Sequence, residues 1–252
     1  MIQRAIVRKP GANFAGGLTS GHLGTPDLDL ALEQHRAYRR ALERRGIVLT
    51  VLEADPDHPD GPFVEDTALV VRETAVMLRP GADSRRGEVE RIAAELAAHR
   101  PIRRIEPPGT VDGGDILRVG KRVFVGLSGR TNREGAGQLA GILSDFGYDV
   151  TFVPVNGGLH LKSAVTAAGP GVLVMDAGFK HREPFEEFDI IETSPEEAHA
   201  ANVLAVNGDL LMAARAPKLQ SKLEERGFQL EELEMSEFNK MDGALTCLSL
   251  LF

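Results

Sequence analysis

The side chains with the most chemical potential in this chain of 252 residues are its single cysteine, its histidines and its aspartates. Cys247 lies in the segment MDGALTC (241–247), directly before an apolar C-terminal run. A solitary thiol forms neither an internal disulfide nor a thiolate metal cage. It is therefore either a small buried hydrophobe or a nucleophile whose partners lie elsewhere in the sequence.

Three polar residues share a sequence phase with this cysteine. Asp66, Asp112 and His160 occupy the same point in three successive repeats of about 45 residues. Cys247 occupies that point two repeats after His160, and Asn202 lies near it in the repeat between them. Each has an ordinary interpretation as a turn or strand-start residue that bonds nearby backbone. If repeat units surround one axis, however, residues at one phase meet there, and the shared phase favours a common site.

Such a set predicts a specific chemistry. A thiolate is a nucleophile, a nearby imidazole can take or return a proton, and a carboxylate can orient that imidazole. The additional carboxylate would repel the negative charge of an oxyanion, but carboxylates accept guanidinium N–H donors in a fork geometry. The pattern therefore predicts attack by sulfur on a guanidino carbon that is held by acids.

The elements that must position these residues recur with the same period, as two short apolar strands, a loop and an amphipathic helix. The successive units cover strands at 67–71 and 75–78 with a helix at 88–98, strands at 115–119 and 123–126 with a helix at 134–146, strands at 161–168 and 172–175 with a truncated helix around 184–188, and strands at 202–206 and 210–213 with a helix at 218–226. A fifth unit combines a strand at 247–252 with a strand at 5–7 and a helix at 28–45. We predict an α/β fold, a five-bladed α/β propeller with pseudo-fivefold repeats, closed by the N- and C-terminal strands and forming a single catalytic domain over 1–252.

Composition limits the partners. The net charge of −8 argues against nucleic acid, and no run approaches the roughly 18 apolar residues of a membrane span. The N-terminal residues lack the apolar segment of a secretory signal, so a reduced thiol in the cytoplasm is the expectation. We expect a small-molecule substrate and neither a metal nor a cofactor, and the sequence leaves a homodimer open.

Five ordered segments carry a resemblance to a known family. FVEDTA (63–68), VDGGD (111–115), VGLSGRTN (125–132), GLHLKS (158–163) and DGALTC (242–247) resemble the dimethylarginine dimethylaminohydrolases of the guanidine-modifying (pentein) superfamily. The resemblance covers essentially the whole chain and implies a five-bladed α/β propeller, in agreement with the repeat count. It also implies hydrolysis of dimethylarginine or monomethylarginine to citrulline and the methylamine.

The same resemblance implies a role for each matching residue. Cys247 would attack the guanidinium carbon and form a thiouronium adduct, His160 would protonate the departing amine and later activate water, and Asp112 would orient His160. Asp66 would hold the guanidinium, and Asp60 and Glu65 would be further acids in contact with the substrate. Arg85 and Arg130 would bind the substrate carboxylate, the backbone at Met241 would bind the α-amino end, and Leu18 would sit on a mobile lid over the pocket.

Three alternatives remain open. Arginine and agmatine deiminases share the fold and the cysteine chemistry, but they carry His-x-Asp where this chain has His160-Leu161-Lys162, and the missing acid favours an N-methylated guanidine. A non-catalytic binding protein on the same scaffold, like the ribosome anti-association factor, would need no Cys–His–Asp set. A metal site at HRE (181–183) or EEAH (196–199) has weak ligand spacing.

Overall fold

The computed structural model of the chain describes residues 1–21 and 23–252. The α-helices are α1 (Leu28–Arg44), α2 (Val89–Ala97), α3 (Arg133–Ser144), α4 (Pro217–Glu225) and α5 (Ser236–Asn239). The strands are β1 (Arg4–Arg8), β2 (Val48–Leu52), β3 (Ala68–Val70), β4 (Ala75–Met77), β5 (Ile102–Arg104), β6 (Ile116–Val119), β7 (Arg122–Leu127), β8 (Asp149–Pro154), β9 (Val165–Gly169), β10 (Val172–Met175), β11 (Asp189–Glu192), β12 (Leu204–Val206), β13 (Asp209–Ala213), β14 (Gln229–Leu233) and β15 (Leu250–Leu251). Over these residues no helix is both long enough and apolar enough to cross a bilayer.

The strands form five mixed sheets of three, with the orders β3-β4-β5, β6-β7-β8, β9-β10-β11, β12-β13-β14 and β15-β1-β2. In each sheet the central strand is antiparallel to the first strand and parallel to the third. The fifth sheet joins the two ends of the chain, because Ala5 pairs with Leu251 and Ile6 with Leu250. The predicted five repeat units and their α/β character are confirmed.

The structure corrects three details of the predicted units. Every sheet has a third strand after its helical segment, such as β5 and β11, which the sequence pattern did not reveal. The truncated third helix is a short 3₁₀ turn, Glu183–Phe185. Cys247, which we predicted at the start of the last strand, lies instead in a 3₁₀ turn before it, Thr246–Leu248.

Apolar packing between the helices and the sheets holds each unit. Along α1, Ala31, Tyr38 and Leu42 are fully buried, and the Tyr38 hydroxyl lies 2.7 Å from Ser249 Oγ. Each buried leucine contributes about 1.5–3 kcal/mol relative to an exposed one. This packing fixes where each first strand begins, and the chemically active residues stand just before those strands.

Short 3₁₀ turns precede four of the five first strands. They are Val64–Thr67 before β3, Gly113–Asp115 before β6, Leu161–Ser163 before β9 and Thr246–Leu248 before β15. The turn at 64–67 contacts those at 113–115 and 246–248, and the turn at 113–115 contacts that at 161–163. Residues as far apart in sequence as Glu65 and Thr246, which are separated by 181 positions, therefore meet at one end of the sheets.

Candidate active site

A cavity of about 170 Å³ lies where these turns meet. All the predicted site residues except Glu65 line it, namely Cys247, His160, Asp112, Asp66, Asp60, Arg85, Arg130, Leu18 and Met241. A second and larger cavity of about 850 Å³ follows the first strands and is lined by Glu65, Lys162 and Thr246. Only the smaller cavity joins the thiol to the imidazole and the aspartates, so we treat it as the candidate active site.

The imidazole of His160 is held by Asp112. Its Nε2 lies 3.0 Å from Asp112 Oδ2, while Asp112 Oδ1 accepts the backbone N–H of Gly81 at 2.8 Å. Burial alone would lower the pKa of His160, but the charge of Asp66 and the hydrogen bond with Asp112 raise it to about 9. The imidazole is therefore protonated at neutral pH and is poised to donate a proton.

Asp66 is the second acid at the cavity. Its Oδ2 accepts from Arg85 Nη1 at 2.6 Å and its Oδ1 accepts the N–H of Gly114 at 2.7 Å. Burial would raise the pKa of this carboxyl, but the neighbouring positive charges of His160 and Arg85 lower it to about 2. Asp66 is therefore an anion throughout the physiological range and can face a planar cation.

Cys247 is partly buried, and its N–H donates to Ala244 O at 3.2 Å in the turn that precedes β15. Burial, together with the negative charges of Glu65 and Asp66, raises the pKa of the thiol to about 12. The resting group is thus a neutral thiol, and only an added positive charge in the cavity would favour the thiolate.

The two predicted arginines differ in their surroundings. Arg85 is buried, and its guanidinium already donates to Asp66, to both carboxylate oxygens of Glu88 and to Phe63 O. Arg130 is half-buried at the cavity wall and forms no ion pair within the described part of the chain. Both remain predicted substrate contacts, and Arg130 has the guanidinium with more unused donors.

The predicted lid segment is anchored over the cavity by carboxylates. The N–H of Leu18 donates to Asp60 Oδ1 at 3.0 Å, and the hydroxyl of Ser20 donates to Asp242 Oδ2 at 2.9 Å. Leu18 is 40% exposed and Met241 is buried beneath this segment. Both carboxylates therefore lie where they can hold a short loop across the opening.

One supporting group, Asp115, was missed by the sequence analysis. Asp115 is buried, accepts from Ser128 Oγ and Thr131 Oγ1 at 2.6 Å each, and accepts the N–H of Leu161 at 2.9 Å. It thereby holds the turn that directly follows His160. Its signal was present as the second acid of the VDGGD segment, but only the fold shows what it contacts.

Glu65 is the predicted substrate contact that does not line the smaller cavity. It forms an ion pair with Lys162, and its Oε2 accepts from Thr246 Oγ1 at 2.9 Å. Burial raises the pKa of Glu65, whereas the adjacent Lys162 lowers it. Glu65 lines the larger cavity, and its contact with the substrate remains a prediction.

Three side chains at the cavity are close enough together to be considered as metal ligands. Asp66, Asp112 and His160 place one ligand atom each within 4.8 Å of one another, as a metal site would. Their oxygens, however, already accept from Arg85, Gly114, Gly81 and His160. A metal ion at this point would have to displace the hydrogen-bond donors that these oxygens already hold.

The acidic segment at 196–199 has its own structural explanation. Both carboxylate oxygens of Glu197 accept backbone N–H groups at the start of α4, from Lys218 at 2.9 Å and Leu219 at 2.8 Å. A carboxylate in this position satisfies donors that the first helical turn leaves unpaired. Its spacing to His199 therefore reflects the capping of a helix.

Two known proteins are similar to this chain over nearly its whole length. No protein-family model matches the chain. The dimethylarginine dimethylaminohydrolase of Pseudomonas aeruginosa is 41% identical over 254 residues, covering 100% of both chains. That of Streptomyces coelicolor is also 41% identical over 254 residues, covering 98% of this chain and 96% of its own.

Solved structures agree with these sequence matches. A Cys-to-Ser variant of the Pseudomonas aeruginosa protein, complexed with citrulline, matches with a TM-score of 0.98 at 40% identity and covers 100% of both chains. A His-to-Gly dimethylarginine dimethylaminohydrolase adduct with S-methyl-L-thiocitrulline matches with a TM-score of 0.97. The N-terminal domain of ArgZ, a cyanobacterial arginine dihydrolase, has a TM-score of 0.89 at 20% identity and shares the fold.

Five mixed three-stranded sheets with a thiol, an imidazole and carboxylates at one end define a pentein-type α/β protein. Identity of 41% over the whole chain narrows this class further. The chain belongs to the dimethylarginine dimethylaminohydrolase family.

Proposed function

We propose that this protein hydrolyses Nω,Nω-dimethylarginine, and also monomethylarginine, to citrulline and dimethylamine or methylamine. The observation that carries the proposal is the arrangement of Cys247, His160 with Asp112, and Asp66 around one cavity of about 170 Å³. A nucleophile, a protonated imidazole and a permanent anion are the three groups that this reaction requires.

The reaction proceeds in two halves. As the guanidinium binds beside Asp66, the Cys247 thiol releases its proton to solvent and the sulfur attacks the guanidino carbon. The bond from that carbon to the methylated nitrogen breaks, and His160 donates a proton to the departing amine. A thiouronium adduct on Cys247 remains, with the rest of the substrate attached.

Water completes the cycle. Neutral His160 takes one proton from a water molecule that attacks the thiouronium carbon. The carbon–sulfur bond then breaks, the departing thiolate takes the second proton of that water, and citrulline leaves. Asp112 stabilises the imidazolium form in both halves through its 3.0 Å hydrogen bond. The net change is one water consumed and one amine released for each citrulline formed.

The predicted substrate contacts keep the same assignments within this proposal. Asp66 holds the guanidinium, Asp60 contacts the substrate and supports the lid at Leu18, and Arg130 together with Arg85 attracts the substrate carboxylate. The backbone of Met241 receives the α-amino group. Glu65 is a further substrate contact, and it also binds Lys162 and Thr246.

A deiminase acting on arginine or another guanidine is the alternative within the same chemistry. Lys162, at the position where deiminases carry an acid, is turned to Glu65 in an ion pair. The cavity therefore offers one acceptor fewer for an unsubstituted guanidine N–H, which suits a nitrogen that carries methyl groups and cannot donate.

The test is to incubate the protein separately with asymmetric dimethylarginine, arginine and agmatine, and to quantify the ureido product and the released amine. We expect citrulline and dimethylamine in equal amounts, at far higher kcat/KM than ammonia from arginine. A preference for arginine would reassign the protein as a deiminase, and no turnover of any guanidine would refute the proposal.

We further propose that the five sheets close into a five-bladed propeller and that 1–252 act as one catalytic domain. The pairing of β1 with β15 supports closure, since it joins the two ends of the chain in one sheet. A reduced thiol is needed for the chemistry, which supports a cytoplasmic location. A small methylated arginine is the expected partner, and a homodimer remains a prediction open to measurement.

The thiol pKa gives a pH prediction. In the substrate-free protein, thiolate absorbance in the ultraviolet is expected only well above the ordinary thiol pKa of 9.0, because burial and nearby acids raise the pKa of Cys247. A bound, unreactive guanidinium compound should move the transition to lower pH, since a cation stabilises the thiolate. Subtracting the signal of Cys247→Ser isolates this thiol, and a thiolate already formed at neutral pH without ligand would contradict the account.

Gly114→Ala gives a second prediction. A Cβ at Gly114 would stand 2.4 Å from His160 Nδ1, so the imidazole must shift from its position. Displacement of a catalytic group by about 1 Å costs about 10²-fold in rate, and we expect a loss of kcat of that order. Gly137→Ala in α3, where the new Cβ meets nothing within 4 Å, is the control and should keep full activity. Equal activity of the two variants would show that His160 does not depend on this contact.

A further inference from the structure

Asn202 is a buried amide outside the candidate active site. It is 3% exposed and stands just before β12. Its Oδ1 accepts the N–H of Thr246 at 3.0 Å, and its Nδ2 donates to Thr246 Oγ1 and to Lys162 O, both at 3.0 Å. One side chain thus binds the residue before Cys247 and the second residue after His160.

These partners fix the orientation of the amide. A backbone N–H can only donate and a backbone C=O can only accept, so Oδ1 must face Thr246 and Nδ2 must face Lys162. The positions of the oxygen and the nitrogen of the Asn202 amide are therefore fixed by these two backbone groups. Three hydrogen bonds from a buried amide make a rigid connection, because each lost partner would leave a buried polar group unpaired.

Asn202 links two turns that do not follow one another in the series of turn contacts, those at 246–248 and 161–163. The turns at 246–248, 64–67, 113–115 and 161–163 contact one another in that order. The fourth sheet contributes no such turn directly before its first strand, and Asn202 stands at that step of the repeat. Its amide joins the last turn of the series to the first, so the nucleophile and the imidazole belong to one continuous hydrogen-bonded set.

Glu65 provides a second link between Thr246 and Lys162. Thr246 Oγ1 donates to Glu65 Oε2 at 2.9 Å, and Glu65 pairs with Lys162. Asn202, Thr246, Glu65 and Lys162 therefore form a closed polar network behind Cys247. Asn202 is the member of this network that binds the backbone of both turns.

We propose that Asn202 is a positioning residue that sets the separation between the sulfur of Cys247 and the imidazole of His160. This inference rests on the proposed function, because it concerns the geometry of that reaction. Asn202 does not line the cavity of about 170 Å³. It therefore acts on Cys247 and His160 through the turns that carry them, and not on the substrate.

The test compares Asn202→Ala, which loses all three hydrogen bonds, with Asn202→Asp, which keeps the acceptor for the Thr246 N–H and loses both donations. We expect kcat on asymmetric dimethylarginine to fall about 10²-fold in Asn202→Ala, as for a small misplacement of reacting groups, while KM stays within about threefold. Should the alanine variant fail to fold, the aspartate variant provides the test, and we again expect a fall in kcat with a nearly unchanged KM.

Thr166→Val is the matched control. The Thr166 hydroxyl donates to Ala201 O at 2.7 Å and accepts the N–H of Val203 at 3.0 Å, so it supports the backbone on both sides of Asn202 without binding either turn. We expect Thr166→Val to lose thermal stability and to keep wild-type kcat. An equal loss of kcat in Thr166→Val, or wild-type kcat in the folded Asn202 variants, would overturn the proposal.

A readout that needs no guanidine substrate separates this inference from the proposed function. Cys247 is the only cysteine, so iodoacetamide labels one site. Release of the 246–248 turn should speed this labelling in Asn202→Ala and not in Thr166→Val. Wild-type protein without turnover would refute the proposed function alone, whereas unchanged labelling of the Asn202 variant would refute the positioning role of Asn202.

Discussion

Cys247→Ser is expected to lower kcat on asymmetric dimethylarginine by at least about 10⁴-fold, as removal of an enzymatic nucleophile does. A serine hydroxyl is a far weaker acid than a thiol, so a bound guanidinium cannot ionise it to a useful extent. The substitution is nearly isosteric at a partly buried position, and the melting temperature should change little. The measurement is steady-state citrulline formation beside a thermal unfolding curve.

The serine variant should still bind ligands, because the carboxylates and arginines of the cavity are untouched. Citrulline binding measured by calorimetry serves as the control for an intact site. Turnover within about tenfold of wild type would remove Cys247 from the mechanism, since loss of a nucleophile never leaves so much activity.

His160→Asn is expected to lower kcat by about 10²–10⁴-fold, the usual contribution of a general acid–base group. In the proposed reaction the imidazole protonates the departing amine, and its pKa of about 9 means that activity in the wild type should fall as the pH rises through that value. Removing the charge of Asp112 by Asp112→Asn lowers the pKa of His160, so this alkaline limb should move to lower pH. A pH profile of kcat for the three proteins checks both statements.

A histidine at the surface provides the control for this prediction. His181 lies 2.9 Å from Asn156 Nδ2 in an exposed loop, away from the lining of the cavity. His181→Asn should keep both the rate and the alkaline limb. An alkaline limb that stays in place in Asp112→Asn would mean that another group titrates there.

Much of the fold was predictable from the sequence because the period of apolar segments is regular. The paired first and second strands of each unit, including β12 and β13 across the Asn207-Gly208 turn, were found by this pattern. Third strands such as β5 and β11 are three or four residues long and half exposed. A short, partly polar segment lacks the alternation that identifies a strand, and its position depends on packing beside the central strand.

The candidate site was predictable in its members but not in its contacts. The shared position in the repeat was enough to predict that Asp66, Asp112, His160 and Cys247 lie together, because that position faces the same end of the sheets in each of their units. The ion pair of Glu65 with Lys162 joins residues 97 positions apart, and no local pattern indicates it. Pairings of this kind follow from the arrangement of the turns, which only the folded chain reveals.

Covalent capture of Cys247 tests the central claim most directly. S-methyl-L-thiocitrulline has a thiol leaving group that needs no proton from an acid, so His160→Asn should still permit attack by sulfur but should not activate water. Mass spectrometry of this variant is predicted to show one adduct per chain, with the mass of the reagent less methanethiol, on the peptide that contains Cys247. An unmodified peptide, or an adduct on another residue, would contradict the account.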